Sequence, residues 1–327
     1  MNLNKIIIYQ VFILFAFLSY ATAKTNLLAL IPFESQFQTV LEGIRSELGS
    51  EYSITAVDMK KSPDAVDIIT QCKQLNPEAL ILMDTKAINL ALGLQKMDAL
   101  FVKIPKFVDM TLMVETTTKG LSNVAGIKFE VPIYTLVTNF RIISKKDFSK
   151  VGIFYRESFS SSIEEAKKHL SREQLSIDAL CIDCKNNEKT TSKEALSTMK
   201  DSFDKMKNDN VDVFLLLADN LVVNAASLNE FWISKVKNKK IPMIATIDML
   251  ASSKFGVAVF TADPDLVQLG SQSANQIIEH FENETPMNEI GFEPTISIKS
   301  TLNAEIAKYM NWELKEEKLG RINNIIK

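Results

Sequence analysis

Residues 27–48, LLALIPFESQFQTVLEGIRSEL, decide the fold. The apolar run at 27–33 predicts a buried strand, because it continues without the polar alternation of a half-exposed strand. The stretch after it is amphipathic and predicts a helix. Its apolar positions, which recur at helical spacing, are Phe37, Val40, Leu41, Ile44 and Leu48. The segment therefore predicts a strand–helix unit of an α/β protein with helices on both faces of a parallel sheet.

The same alternation of apolar runs and amphipathic stretches continues along the chain, which predicts βαβ units. Strands are predicted at residues 27–33, 52–57, 79–83, 99–104 and 124–129, and again at 151–155, 175–182, 211–217, 241–245 and 256–260. The two groups are of equal size and are separated near residues 133–150. We therefore expect two doubly wound parallel-sheet lobes. A helix is predicted at 264–281, and a surface helix at 314–326.

Composition restricts the class of function. The chain has 327 residues, of which 46% are hydrophobic and 24% charged, so it can fill the cores of two domains. The net charge of −3 gives no basic field to attract nucleic acid, and we expect no nucleic-acid partner. Glycine is scarce, at 10 residues, which disfavours glycine-rich phosphate loops.

The N-terminus has the pattern of a secretory signal peptide. Lys5 precedes an apolar run at residues 6–18, and the small-residue site Ala21-Thr22-Ala23 follows. We predict that 1–23 is a signal peptide cleaved after Ala23; an uncleaved membrane anchor is the alternative, although the run is short for a span. The first cysteine is Cys72, so none lies at the cleavage site to carry a lipid. An exported protein without a lipid anchor is expected in a bacterial periplasm.

Cys181 and Cys184 form a CxxC pair at the end of a predicted strand. A redox-active pair of the thioredoxin type places its first cysteine at a helix N-terminus, which this position is not. A structural or incidental pair, with a local disulfide as one option, is therefore favoured over a redox role. The chain has two histidines and no second CxxC, so no metal site is expected.

Motifs of common enzyme classes are absent from the sequence. Residues 31–35, IPFES, stand where a dinucleotide-binding GxGxxG would follow the first strand, and there is no Walker loop, GxSxG or HExxH. His169 and His280 are expected at the surface, away from the strand ends. We therefore predict a protein that is not an enzyme and uses no cofactor.

Several stretches resemble the ABC-transporter substrate-binding proteins of the type I periplasmic-binding-protein fold, in the branch associated with tryptophan and tyrosine. The resemblance covers nearly all of the chain after residue 23, and it lies in the order and spacing of short stretches. They are residues 123–127 (NVAGI), 149–155 (SKVGIFY), 218–220 (ADN), 241–245 (IPMIA), 263–270 (DPDLVQLG) and 302–307 (LNAEIA). Residues 156–162 and 104–118 depart from the family pattern beside the expected pocket, so the ligand can differ from the family's usual one.

The resemblance implies two lobes joined by a multi-strand hinge. Lobe one is expected at 24–133 plus 262–285, and lobe two with the hinge and C-terminal segment at 134–261 plus 286–327. It also implies capture of a small molecule, such as an amino acid or related metabolite, for an ABC importer. The expected partner is an inner-membrane ABC permease, and the protein is expected to be a monomer. The alternative function is sensing, with the liganded state presented to a histidine kinase or chemoreceptor.

Ligands of open α/β sheets bind beyond the carboxyl ends of the strands, so polar and aromatic residues that follow strands are the candidate contacts. They are Ser35, Asp84, Thr85, Tyr155, Phe159, Ser160, Asp219, Asn220 and Asp248. The hydroxyl groups can bind a carboxylate of the ligand that helix amides also hold, and an aspartate can bind its ammonium group. The aromatic rings can stack on an apolar part of the ligand. Asp219 is the strongest single candidate. The alternative role for the serines, Thr85 and Asn220 is helix capping.

Overall fold

The computed structural model describes residues 24–184 and 190–327, so the expected signal peptide lies outside the described residues. The first sheet consists of six parallel strands in the order β11-β5-β4-β3-β1-β2. Its strands are β1 (Thr25–Ile31), β2 (Tyr52–Asp58), β3 (Ala79–Met83), β4 (Lys106–Asp109), β5 (Val124–Lys128) and β11 (Phe292–Pro294).

The second sheet has seven strands in the order β13-β12-β10-β9-β8-β6-β7, and within it only the β10–β12 pair is antiparallel. Its strands are β6 (Lys150–Tyr155), β7 (Ser176–Cys181), β8 (Val213–Leu216), β9 (Met243–Ala245), β10 (Phe260–Pro264), β12 (Ile298–Asn303) and β13 (Asn324–Ile326). Two mostly parallel sheets with helices between the strands confirm the predicted doubly wound α/β class.

The α-helices follow the strands as the amphipathic stretches predict. They are α1 (Ser35–Leu48), α2 (Ala65–Leu75), α3 (Thr85–Met97), α4 (Leu100–Lys103), α5 (Val114–Thr117), α6 (Ile133–Ile143), α7 (Ser160–Arg172), α8 (Ser192–Asn208), α9 (Ala225–Ser227), α10 (Ile233–Lys239), α11 (Leu266–Phe281), α12 (Met287–Ile290) and α13 (Ala304–Tyr309). A π-helical turn, Leu228–Trp232, joins α9 to α10. None of the helices in the described part of the chain has the length and apolar character of a membrane span.

Strand β1 shows why its sequence is apolar at every position. Side chains of a strand alternate between the two faces of the sheet. Leu27, Ala29 and Ile31 join one buried cluster, whereas Leu28 and Leu30 join another on the opposite face. Both faces of the first sheet are therefore covered, and burial of the full run contributes on the order of 1.5–3 kcal/mol per large side chain.

Helices α1 and α11 pack closely on one face of the first sheet through a pair of glycines. A Cβ atom added to Gly43 would lie 2.5 Å from the Val267 carbonyl oxygen, and one added to Gly270 would lie 2.2 Å from the Val40 carbonyl oxygen. The two backbones therefore approach more closely than side chains would allow. The contact holds α11, which follows strands β6 to β10 of the second sheet in sequence, against the first sheet.

Three chain segments connect the sheets. They run from β5 to α6, from β10 to α11, and from β11 to β12. Gln272 of α11 fixes the third segment, because its amide donates to the Pro294 carbonyl (3.0 Å) and accepts from the Ile296 backbone N–H (3.2 Å). These three crossings between the lobes are the hinge segments.

The strand predicted at residues 99–104 is wrong. Asp98 accepts a hydrogen bond from the Leu100 N–H (2.9 Å), which begins helix α4 instead, and the strand of this unit is β4. Lys106 is the first residue of β4 and is fully buried there. Its ammonium group donates to the carbonyls of Ile104 (2.8 Å) and Ser122 (3.0 Å).

Two other expectations are also corrected. Of the strand predicted at residues 256–260, only Phe260 belongs to a strand, as the first residue of β10. The N–H groups of Val257 and Ala258 both bond to the Leu250 carbonyl rather than to a neighbouring strand. The tail forms a 3₁₀ turn, Glu316–Arg321, and then β13, rather than a helix over 314–326.

The lobe boundaries differ in detail from the expected division. The second sheet extends to Pro264 at the end of β10, whereas the division began lobe one at residue 262. Strand β11 pairs with β5 of the first sheet, although residues 286–327 were expected in lobe two and the hinge. The second difference arises because β11 is an edge strand of the first sheet. It has only three residues, too few for the sequence to predict this pairing.

Candidate ligand-binding cleft

A cavity of about 170 Å³, the small cleft cavity, lies where strands of both sheets end. Residues directly after or at the ends of β5, β8, β9, β10 and β11 line it, so it occupies the position where α/β sheets bind ligands. Its lining residues are Leu112, Lys128, Phe129, Glu130, Val131, Pro132, Ile133, Tyr134, Phe159, Ser162, Glu165, Leu217, Ala218, Thr246, Asp263, Pro264 and Pro294.

A second cavity of about 640 Å³, the wide cleft cavity, adjoins the first. The two share Phe129, Ala218, Thr246, Asp263 and Pro264, and together they form a continuous cleft between the lobes. The remaining lining residues of the wide cleft cavity are Gln36, Thr39, Met110, Ile247, Asp248, Leu266, Lys299, Ser300, Thr301, Asn323 and Asn324.

The first lobe contributes Lys128 and Glu130 from the first hinge segment. The Lys128 ammonium group is 3.0 Å from a Glu115 oxygen, so its charge is already paired. Glu130 accepts a hydrogen bond from the Met113 N–H. Burial raises the pKa of the Glu130 carboxyl, and the hydrogen bond from Met113 opposes that rise.

The second lobe contributes Asp263 at the end of β10. One of its oxygens, Oδ2, accepts from the Asp248 N–H (2.8 Å), and the Asp248 side chain accepts from the Thr261 hydroxyl (2.9 Å). Burial raises the pKa of Asp263 to about 6, because no described basic residue is paired with it and only the Asp248 N–H favours the charged form. At neutral pH Asp263 is therefore a carboxylate whose charge is poorly compensated.

Aromatic and apolar side chains form the rest of the small cleft cavity. Phe129 comes from the first hinge segment, Tyr134 from α6, and Phe159 from the turn before α7. The Tyr134 ring stacks on the His169 ring with their centroids 4.6 Å apart, so this histidine is half-buried rather than at the open surface as expected. Such a lining favours a ligand with a flat or apolar body.

Helix α6 begins at the cavity wall with Pro132 as its N-cap residue, and no side chain of the described residues caps it. The first N–H groups of a helix have no partner within the helix, and Ile133 and Tyr134 occupy those positions. The cleft therefore offers backbone donors as well as carboxylates.

A network of charged groups lies at the edge of the second sheet, after β6, β7 and β8. Arg156 Nε is 3.5 Å from one oxygen of Asp183 and 3.8 Å from Asp219 Oδ2. The other oxygen of Asp219 accepts from the Leu221 N–H (2.7 Å). Burial is the largest cause of the raised pKa of Asp219, and the Leu221 and Arg156 contacts act against it. The carboxyl group of Asp219 therefore stabilises its own turn.

Cys181 and Cys184 form a disulfide, the local bond that was one option from the sequence. Asp183 lies within the loop that the bond closes and accepts from the Glu157 N–H (2.7 Å). Cys181, Asp183 and Cys184 are also the one group in the described part of the chain with side-chain atoms close enough to share a metal ion. A cysteine binds a metal ion as a thiolate, and the disulfide leaves neither cysteine in that form.

The structure places the nine predicted site residues at strand ends but brings only some of them into the cleft. Phe159 lines the small cleft cavity and Asp248 the wide one. Asp84 caps α3 by accepting from the Ala87 N–H (3.0 Å), and Ser35, Thr85 and Ser160 are the first residues of α1, α3 and α7. The other seven predicted residues line neither cavity; they are Ser35, Asp84, Thr85, Tyr155, Ser160, Asp219 and Asn220.

Sequence reasoning missed Glu130, Tyr134 and Asp263. Glu130 lies on the first hinge segment, which the strand-end rule does not select. Asp263 lies at the end of β10, beyond the strand that was predicted at 256–260. The signal that could have found them is the pair of short polar stretches at the lobe boundaries, 128–130 and 263–265, where the chain leaves one lobe for the other.

Comparison with solved structures identifies the fold. A ligand-free, open substrate-binding protein with adhesive properties from Clostridium difficile matches with a TM-score of 0.64 and 16% identity, over 93% of this chain and 100% of that one. The ABC domain in complex with L-Trp from Streptococcus pneumonia matches with a TM-score of 0.57 and 16% identity, over the same shares of the two chains. A conserved domain protein from Vibrio cholerae matches with a TM-score of 0.57, 17% identity and coverage of 93% and 99%.

No family model matches the sequence, and no curated protein matches it either. At these low identities the structural likeness establishes the fold and not the ligand. The chain has the type I periplasmic-binding-protein fold, as its resemblance to substrate-binding proteins implied, and its solved structural neighbours include the substrate-binding protein from Clostridium difficile.

Proposed function

We propose that this chain is an exported solute-binding protein that captures a small molecule, an amino acid or a related metabolite, between its lobes and delivers it to an ABC permease. The observation that carries the proposal is the cleft itself, which is lined from both lobes at the carboxyl ends of the strands. The expected signal peptide at 1–23 supports export, and the fold supports capture by closure of the two lobes about the hinge.

The chemistry of the cleft fits binding without turnover. Its acidic groups lie beside apolar walls, and neither histidine of the chain lines either cavity. Phe159 and Asp248, which were predicted from the sequence and line the cavities, are proposed to contact the ligand. Asp219 is proposed to act indirectly, because its carboxylate holds the turn next to Ala218 at the cavity wall.

Thermal unfolding of the chain lacking residues 1–23, with a panel of amino acids and related metabolites, tests the proposal. A ligand present at 100 times its dissociation constant should add about 2.7 kcal/mol to the free energy of unfolding. Ala218→Phe should abolish this stabilisation, because the half-buried Ala218 side chain faces both cavities and a phenyl ring would occupy them.

Ala226→Phe, at an exposed position of helix α9, is the matched control and should bind as the unmodified chain does. If no compound stabilises the unmodified chain, the proposed function is wrong. If Ala218→Phe folds and binds a ligand normally, the cleft is not the binding site.

A further inference from the structure

We propose that the ligand carries a positively charged amino group on an apolar body, and that Asp263 binds the amino group in the small cleft cavity. The proposal rests on the ligand capture proposed above and specifies the substrate class of the same site. Three features carry it, namely the balance of charges in the cleft, the free oxygen of Asp263 and the surrounding aromatic rings.

The cleft has an excess of unpaired negative charge. Its lining includes two lysines, and each is already paired with an acid outside the lining: Lys128 with Glu115 (3.0 Å) and Lys299 with Asp265 (3.2 Å). Its four carboxyl groups are Glu130, Glu165, Asp248 and Asp263. None of them is within ion-pairing distance of a described basic residue, and only Glu130 has the charge of a lysine, Lys128, acting to lower its pKa. An anionic ligand would therefore meet repulsion, whereas a cation would gain a partner.

Asp263 is the best placed of the four, because it lines both cavities. Its Oδ2 is used by the Asp248 N–H, whereas Oδ1 accepts no hydrogen bond from any described residue and is not sealed from the cleft. A half-buried carboxylate with one free oxygen and no basic partner is a strong acceptor for an ammonium group. Its position at the start of the second hinge segment also places the bound charge between the lobes.

The environment of this free oxygen is suited to an organic amine more than to a metal ion. Phe129 and Phe159 line the same small cleft cavity, together with Leu112, Val131 and Leu217. Aromatic faces attract organic cations, and the apolar walls remove the body of the ligand from water. A hydrated inorganic cation would gain nothing from these walls.

Three matched sets of compounds separate the charge of the ligand from its shape. Each set has an amine, an amino acid, a neutral compound and an acid that share one apolar body. In the indole set these are tryptamine, tryptophan, 3-methylindole and indole-3-propionate. The other two sets have a phenyl and a butyl body. Dissociation constants are measured by titration calorimetry at pH 7.5, where Asp263 is ionised. We expect the amine of the best-fitting set to bind at least as tightly as its amino acid, and at least 10-fold more tightly than its neutral and acidic analogues.

Asp263→Asn tests the assigned residue. The asparagine oxygen can still accept from the Asp248 N–H, so the fold of the β10 end should be retained. Loss of a hydrogen bond to a charged group should weaken amine binding roughly 10- to 100-fold and leave the neutral analogue unchanged. Asp201→Asn, an exposed aspartate on helix α8 of the same lobe, is the matched control and should change neither constant.

The outcomes distinguish this inference from the proposed function. An acid or neutral compound that binds as tightly as its amine overturns the assignment of a cationic ligand but leaves capture in the cleft standing. Unchanged amine binding by folded Asp263→Asn overturns the role of Asp263. Absence of binding by every compound in these sets and in the metabolite panel overturns both proposals.

Discussion

Replacing Gly270 with alanine should destabilise the first lobe, because helix α11 has no room for a side chain at this position. The added Cβ would lie 2.2 Å from the Val40 carbonyl oxygen and 2.9 Å from the Ile44 nitrogen. Carbon atoms in contact are about 3.5–4.0 Å apart, so the two helices would have to separate by about 1 Å. Both obstructing atoms belong to the backbone and cannot rotate away.

The expected magnitude follows from two opposing effects. Overpacking in a buried contact costs about 1–3 kcal/mol, and the backbone obstruction at Gly270 places this change at the upper end. Exchange of glycine for alanine in a helix returns about 0.5–1 kcal/mol. The net loss should therefore be about 2 kcal/mol. Gly93 of helix α3 is the control, since nothing lies within 4 Å of its added Cβ, and Gly93→Ala should gain about 0.5–1 kcal/mol.

Urea unfolding of the ligand-free chain measures both changes. Circular dichroism reports on both lobes, whereas the two tryptophans of the chain, Trp232 and Trp312, both belong to the core of the second lobe. Gly270→Ala should lower the midpoint of the transition seen by circular dichroism more than the one seen by fluorescence. A Gly270→Ala chain as stable as the unmodified one would refute the close approach of α1 and α11.

Two further predictions concern buried polar groups and the disulfide. Burial raises the pKa of Asp109 from 3.8 to about 7, although the hydrogen bonds from Ser273 and the Met110 N–H act against the rise. The folded state therefore favours the protonated carboxyl. This contribution to the free energy of unfolding is present in full below about pH 4 and is lost as the pH rises through about 7. Asp109→Asn should flatten the dependence of the urea midpoint on pH between about 4 and 7, and an unchanged slope would contradict this. Reduction of the Cys181–Cys184 disulfide should lower stability by about 2 kcal/mol. The loss of stability is measured as the shift of the urea midpoint when dithiothreitol is added. The shift should vanish in a chain with serine in place of both cysteines.

The sequence predicts the class of fold well because burial on both faces leaves continuous apolar runs, as in strand β1. It fails where the same local pattern has two outcomes. Residues 99–104 are as apolar as a strand, yet the carboxylate of Asp98 starts a helix there. Lys106 is charged and yet belongs to a buried strand, because the carbonyl oxygens of Ile104 and Ser122 accept hydrogen bonds from its ammonium group. Ser122 is 16 residues away, so the sequence does not indicate that this acceptor lies beside Lys106.

The candidate site is less predictable from sequence for a related reason. The rule that ligands lie after strands identifies Phe159 and Asp248, which line the cleft. The same rule also selects residues such as Asp84, whose carboxylate is used by the Ala87 N–H. Asp263 becomes a candidate ligand contact only when the two sheets are placed opposite each other. It is far from Phe129 and Glu130 along the chain, so the sequence does not indicate that the three residues line one cavity.

The order in which the strands enter the first sheet has a consequence for synthesis. Helix α11 and strand β11 complete the first lobe, yet they follow nearly all of the second lobe in sequence. A nascent chain therefore cannot close the apolar faces of α1 and β5 until about residue 294 of 327 has been made. Until then the first half of the chain lacks the helix and the edge strand that cover it in the folded protein. Completion of the first lobe therefore has to wait until most of the second lobe has been made.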